Sequence, residues 1–164
     1  KYLEDWIDLS LWTDDSKIIN GGAFAYFYSK NNDLLDSSIN HLENIPGLQV
    51  FSKGNFPAQM HLGDNPRTPD FIVTVDAPAY LMIRRPKRSF EPPAGAHGYM
   101  TSKNPEMNGV FYAAGPGIKP GHKPAFENIH VYPFVMSLMG LNITTQIDGD
   151  LAVLAEHLRP STAR

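Results

Sequence analysis

The sequence predicts an α/β fold, a mixed β-sheet flanked by helices with a small β-α-β layer beside it, and three stretches carry that prediction. Residues 22–53 alternate strand, helix and strand. The small-and-aromatic run Gly109-Val110-Phe111-Tyr112-Ala113-Ala114 reads as a buried central strand and stops at the strong turn signal Gly115-Pro116-Gly117. Residues 127–139 then read as a helix with one apolar stripe.

Taken in order, residues 1–21 combine the apolar positions Leu3, Trp6, Ile7, Leu9, Leu11 and Trp12 with a turn at Asp14-Asp15-Ser16. This reads as a loop or short helix entering a short strand, Lys17-Ile18-Ile19-Asn20. The aromatic run Ala23 to Tyr28 is a second strand, bounded by Gly21-Gly22 and Asn31-Asn32. Asp33 is placed as an N-cap, with Leu35, Ile39 and Leu42 at helical spacing through Asn44 and a stop at Pro46-Gly47. Leu48 to Phe51 and Phe71 to Val75 follow as strands, so that 22–75 makes a small α+β layer. No G-x-G-x-x-G spacing accompanies it, which argues against a dinucleotide-binding nucleus. In the helix at 127–139 the stripe is Val131, Phe134, Val135, Leu138 and Met139. Pro133 is tolerated only in or near its first turn, and Gly140 with Leu141 supplies the C-cap. A short helix over 151–158 and a disordered tail from Pro160 complete the chain.

Bulk composition removes several classes of function. The chain is long enough for one domain or part of a larger one, and 42% hydrophobic with 19% charged residues is ordinary for a globular protein. A formal net charge of −3 leaves nothing to attract a nucleic acid polymer or an anionic membrane surface. Any anionic substrate must then be held by a local device such as a metal ion. Zero cysteines exclude disulfides, thiolate metal sites and a cysteine nucleophile. No run is long enough to span a membrane, and the first residues are not a signal peptide. The chain has no initiator methionine and opens in mid-pattern, which reads as a piece of a longer protein.

The stretch with the most chemical content is Pro92-Pro93-Ala94-Gly95-Ala96-His97-Gly98-Tyr99. Two prolines stiffen its approach, and a glycine on either side of the histidine permits crowded or left-handed backbone. It reads as a rigid loop presenting His97 with open space on both sides, either as a ligand or catalyst or as an ordinary packed or solvated imidazole. The remaining histidines have plain readings. His41 lies on a helix, His61 and His122 in polar loops, His130 near a helix start, and His157 near a helix end where its charge suits the dipole. No histidine follows an aspartate directly or at four residues, so the chain offers one good ligand and no complete zinc site. Nucleophile signals are thin: there is no G-x-S-x-G elbow, and Thr68, Thr74, Thr101, Ser102 and Ser137 lack an adjacent base. Asp76 and Glu106 are the carboxylates nearest these features, with Glu106 read as an anchor of the loop through backbone hydrogen bonds. The basic run Arg84-Arg85-Pro86-Lys87-Arg88 suits either phosphate or, better, plain solvation.

The order of these features is informative. Gly95-Ala96-His97-Gly98-Tyr99, Pro105-Glu106-Met107, Phe111 to Gly117, and Phe126-Glu127-Asn128-Ile129-His130-Val131-Tyr132 with Leu138-Met139-Gly140-Leu141 follow one another. In that order they resemble the C-terminal part of the type I phosphodiesterase, or nucleotide pyrophosphatase, family within the alkaline phosphatase superfamily. Tyr2-Leu3-Glu4-Asp5-Trp6-Ile7-Asp8 is similar to the segment after that family's aspartate-histidine motif. The resemblance covers most of residues 1–145 and is densest over 92–141. One departure is plain: the family usually has aspartate after the tyrosine, where this chain has Met100, and the loop to Pro105 is a residue longer.

The resemblance implies an alkaline phosphatase-like fold, present in part. Residues 1–164 would be a single C-terminal fragment of a larger catalytic domain, with 22–75 an insert layer and 92–158 contributing core strand and helices. It implies a two-zinc hydrolase of phosphodiester or pyrophosphate bonds, in which a threonine or serine attacks phosphorus and water hydrolyses the covalent intermediate. Only His97 carries over, as a zinc ligand; the nucleophile and other ligands would lie N-terminal to Lys1, leaving the fragment inactive alone. The implied partners are a nucleotide or other small phosphodiester and the N-terminal part of the same protein. The implied location is extracytoplasmic, periplasmic or secreted. Two alternatives accompany this reading: a related phosphonate, phosphate monoester or sulfate ester hydrolase, and a non-catalytic binding or assembly module. Asn142-Ile143-Thr144 fits a glycosylation acceptor pattern but is too short to fix a compartment.

Overall fold

A computed structural model describes residues 1–13 and 15–160. The chain divides into two compact units, Lys1–Met107 and Asn108–Arg164.

The first unit is built on a four-stranded sheet: β1 (Ser16–Asn20), β2 (Phe24–Ser29), β3 (Gln49–Ser52) and β4 (Phe71–Thr74), in the order β1-β2-β4-β3. All pairings are antiparallel. The expected β-α-β unit is present, but β4 inserts between its two strands and pairs antiparallel with each. The inserted strand explains why β4 is buried at all four positions while β1 alternates half-buried and exposed. Phe27 lies opposite Phe71 in the register, their rings stacked at 4.1 Å, with Trp12 edge-on to Phe27 at 5.1 Å. Ala25, Phe27, Phe71 and Val73 share one core with Leu3, Leu35, Leu42 and Leu81.

Helix α1 spans Asn32–Leu42 and packs Leu35 and Leu42 into this core. Its N-cap is Asn31, whose Oδ1 accepts from the Leu34 N–H at 3.1 Å; Asp33, expected as the cap, sits in the first turn, where a carboxylate still suits the dipole. The opening residues form 3-10 turns at Leu3–Asp5 and Leu9–Leu11. They are stitched to the segment after β4 by Leu3 N–H to the Met82 carbonyl at 2.8 Å and Met82 N–H to the Lys1 carbonyl at 2.9 Å. The expected turn at 14–16 begins at residue 14, which lies outside the described residues, as does 161–164 of the expected tail.

The second unit departs further from expectation. Residues 109–114, read as a central strand, pair with no strand among the described residues, and Val110 and Tyr112 are 98% and 86% exposed. The composition is that of a buried strand, but a strand also needs a neighbouring backbone to take its N–H and C=O groups. Asn128–His130 is a 3-10 turn leading into α2 (Val131–Leu138), with Pro133 in the first helical turn as required. Of the expected stripe only Phe134 is buried; Val135, Leu138 and Met139 are exposed. Gly140 ends the helix at φ +67, a conformation that favours glycine. The expected helix over 151–158 is two 3-10 turns, Leu151–Val153 and Ala155–His157. Leu154 breaks them at φ −116, ψ 0, and Leu158 is drawn into an antiparallel bridge with Ile118.

Phe27→Ala removes one ring of the central stack from a fully buried position and should destabilise the first unit by about 3–5 kcal/mol. Urea unfolding followed by fluorescence measures it, and a loss below about 1 kcal/mol would contradict this account of the core.

Candidate functional site

His97 lies on the loop that follows the crossing segment 75–85, and it is exposed. Its side chain makes no hydrogen bond or ion pair among the described residues. The loop turns at Pro93, whose carbonyl accepts the Ala96 N–H at 3.1 Å. The two flanking glycines are not equivalent. Gly95 has open space around it, as expected. Gly98 stands at φ +92, where an added Cβ would meet the Phe24 ring at 3.1 Å, so this side of His97 is a close contact with β2 and not open.

Two residues after His97 the chain is pinned. Tyr99 is 7% exposed and its hydroxyl donates to the Ala79 carbonyl at 3.0 Å. Burial pushes its phenol up from the usual tyrosine value. Asn104, 3% exposed, closes the following turn: its Oδ1 accepts from the Ala77 N–H at 3.1 Å and its Nδ2 donates to the Met100 carbonyl at 2.9 Å. That carbonyl also accepts the N–H groups of Lys103 and Asn104. His97 is thus presented by a loop tied down through Gly98, Tyr99 and Asn104 to the end of β2 and the segment after β4.

Sequence reasoning missed Asn104 and assigned the anchor to Glu106, which is exposed and makes no hydrogen bond in the described structure. The available signal was Asn104-Pro105, a turn-initiating pair. Asp76 accepts from Gln49 Nε2 at 3.1 Å and faces Lys103 Nζ at 3.5 Å, a surface pairing. Within the basic run Arg85 makes a bidentate pair with Asp5, both contacts at 2.6 Å, and stacks over Tyr2 at 4.7 Å, while Arg84, Lys87 and Arg88 are exposed to solvent.

No three His, Asp or Glu side chains converge among the described residues, so those residues by themselves make no zinc site. His130 is occupied, its Nδ1 accepting from the Asp150 N–H at 2.9 Å. The His157 ring is covered by Gly121, where a Cβ would come within 2.6 Å. His122 is exposed and His41 stays on α1. The second unit contains a cavity of about 920 Å³, lined by Phe111, Phe126 and Phe134 with Lys119, Lys123 and Arg159 at its polar side.

This fold is that of the nucleotide pyrophosphatase/phosphodiesterases, an alkaline phosphatase-like architecture. Human ectonucleotide pyrophosphatase/phosphodiesterase 5 superposes with a TM-score of 0.69 at 19% identity, over 96% of this chain and 41% of that one. An inactive form of the murine protein in complex with AMP superposes with a TM-score of 0.69 at 21% identity, over 93% and 40%. In sequence the chain is 31% identical over 119 residues to mouse ectonucleotide pyrophosphatase/phosphodiesterase family member 7, covering 72% of this chain and 26% of the relative. The human member 7 is 32% identical over 119 residues, at 72% and 25%. No protein-family model matches the chain. The chain is therefore a homologue of part of the nucleotide pyrophosphatase/phosphodiesterase family, spanning about a quarter of the length of these relatives. None of the described helices is long and apolar enough to cross a membrane.

Asn104→Ala leaves the Ala77 N–H without its partner and should cost about 1–3 kcal/mol, with hydrogen exchange rising over 96–104 and not in β1. Exchange that is unchanged across the loop would refute the pinning. The raised Tyr99 phenol also sets a pH dependence. The unfolded chain ionises this group first, from about pH 10 upward. The stabilisation is therefore complete below that pH and is lost as pH rises toward the folded value. Urea midpoints measured from pH 8 to 11 should fall at the alkaline end, and less steeply in Tyr99→Phe.

Proposed function

We propose that the chain is part of a zinc-dependent phosphodiesterase or nucleotide pyrophosphatase, hydrolysing phosphodiester or pyrophosphate bonds of a nucleotide or other small phosphodiester. The observation that carries this is His97: an exposed imidazole without a partner in the described structure, on an anchored loop. It stands in a chain about 30% identical to ectonucleotide pyrophosphatase/phosphodiesterases over 119 residues. Zinc, when bound, supplies positive charge against the phosphoryl oxygens. His97 contributes one ring nitrogen to it; the remaining ligands and a threonine or serine nucleophile come from outside this chain. The enzyme is extracytoplasmic, a reading that rests on the ecto- names of its relatives.

The first partner of this chain is then the rest of the same protein. The uncovered apolar run 109–114 and the cavity above it favour this, as does the 41% coverage of a structural neighbour. An exposed apolar run with no strand beside it is a surface for further chain to cover. Residues 1–164 alone have no activity in this reading.

In the complete enzyme, His97→Ala should lower kcat/KM for a nitrophenyl phosphodiester by about 100-fold or more, together with a loss of bound zinc. Wild-type zinc content and turnover in that variant would refute the assignment. Hydrolysis by purified residues 1–164, abolished by the same substitution, would refute the division of labour between this chain and the rest.

A further inference from the structure

The proposed activity makes no use of the basic run Arg84-Arg85-Pro86-Lys87-Arg88, which is followed by Ser89. From residue 84 to 95 the chain is neither helix nor strand, and every residue in it is exposed. Lys87, Arg88 and Ser89 make no hydrogen bond or ion pair among the described residues. Pro86, Pro92 and Pro93 fix φ and have no N–H to donate, so the segment stays open and does not fold back on itself. It is held at two points. Arg85 is paired with Asp5, and the Phe90 ring lies against Tyr80 at 5.7 Å. Residues 86–89 bridge these anchors with nothing packed on them, the situation in which exposed chain is most readily cut.

We propose that the Arg88–Ser89 peptide bond is a processing site for a serine endoprotease selective for paired basic residues, an inference that rests on the extracytoplasmic reading above. Such an enzyme takes successive side chains of an open segment into separate pockets, and a carboxylate in a pocket selects Arg or Lys. Arg88 fills the pocket before the scissile bond, Lys87 the one preceding it, and Arg85 the fourth; Ser89 is small and is not proline. The serine hydroxyl of the protease attacks the Arg88 carbonyl carbon, the bond from that carbon to the Ser89 nitrogen breaks, and Ser89 leaves as an amine with the proton taken from the hydroxyl. Water then hydrolyses the acyl-enzyme, which frees the Arg88 carboxyl group and returns a proton to the serine; no redox partner is needed. Arg85 must leave Asp5 to be read. The pair lies at the surface, with the Arg85 side chain 57% exposed, and a pair of that kind opens readily. The two pieces stay together after the cut. All four strands lie before Arg88, and the piece beginning at Ser89 is tied to them by Tyr99 on Ala79, Asn104 on Ala77 and Gly98 against Phe24. The product is a two-chain protein in which the loop carrying His97 has gained a free end.

The test incubates the purified complete protein with a paired-basic endoprotease of the secretory route and identifies new termini by mass spectrometry, with a synthetic peptide of residues 84–95 alongside. The expected result is cutting of both between Arg88 and Ser89, pieces of the protein that co-elute on gel filtration, and the same Ser89 terminus in protein secreted by a eukaryotic cell. Arg88→Gln should abolish this cut without disturbing the fold, since Arg88 has no partner to lose. Asp5→Ala, which releases Arg85, should speed it by about two- to fivefold. An intact protein under conditions that cleave the peptide would overturn the inference, as would an uncut peptide or cutting that persists in Arg88→Gln. A secreted, active and uncut phosphodiesterase would overturn it and leave the proposed activity standing. Retention of the protein in the cytosol would overturn both the inference and the extracytoplasmic reading.

Discussion

The first unit depends on one pairing, β2 against β4, with Phe27 stacked on Phe71 across it. An aromatic pair directly opposite in an antiparallel ladder fixes register as well as area, because a slip of one residue would turn one ring to the other face, away from its partner. β4 enters the sheet between β2 and β3 after a long excursion in sequence, so this contact closes the largest loop in the sheet. Everything that presents His97 hangs from its far end. Ala77, whose N–H donates to Asn104, and Ala79, whose carbonyl accepts from Tyr99, follow β4 within a few residues, and Phe24, against which Gly98 packs, begins β2.

The same geometry connects the chain's opening to the loop. Leu3 and Leu81 are fully buried in the core that holds Phe27, and the backbone of residues 1–4 is bonded to 82–83. Arg85 adds its bidentate contact to Asp5 at the surface. The approach to the 86–98 loop is therefore held on one side by the opening segment and on the other by β2. A loop rich in proline, with few hydrogen bonds of its own, keeps its place because its two ends are fixed.

Legibility in the sequence followed the range of the interactions. The helix at 32–42 and the strands β1 to β4 rest on local spacing and boundary residues, and each was readable from its own ten residues. The order of the strands was not, because β4 inserts between β2 and β3 for reasons that lie in the matched faces of distant segments. Asn104 was passed over for the same cause: its importance is a bond to Ala77, remote along the chain, while Glu106 drew notice for its charge. The run 109–114 failed in the opposite direction. Its composition describes a strand in a filled sheet, and composition records burial without saying which backbone provides it. His97 was legible because glycine, proline and an imidazole in one short loop are local by nature.

Met100 stands where the resembling family has an aspartate, and the structure explains why the loop survives the exchange. Its backbone carbonyl, not its side chain, collects the N–H groups of Lys103 and Asn104 and the Asn104 amide. A carbonyl is present whatever the residue, so losing a carboxylate there does not release the turn that follows His97. The exchange does remove one acceptor that could have oriented the imidazole. A metal-bound histidine ordinarily gives its second ring nitrogen to such an acceptor, which sets the tautomer and the ring's direction. Among the described residues no group does this for His97. Under the proposed function, then, the orienting acceptor must come from the same source as the missing metal ligands. In that reading this chain fixes where the imidazole stands, and the remainder of the protein fixes which way it faces.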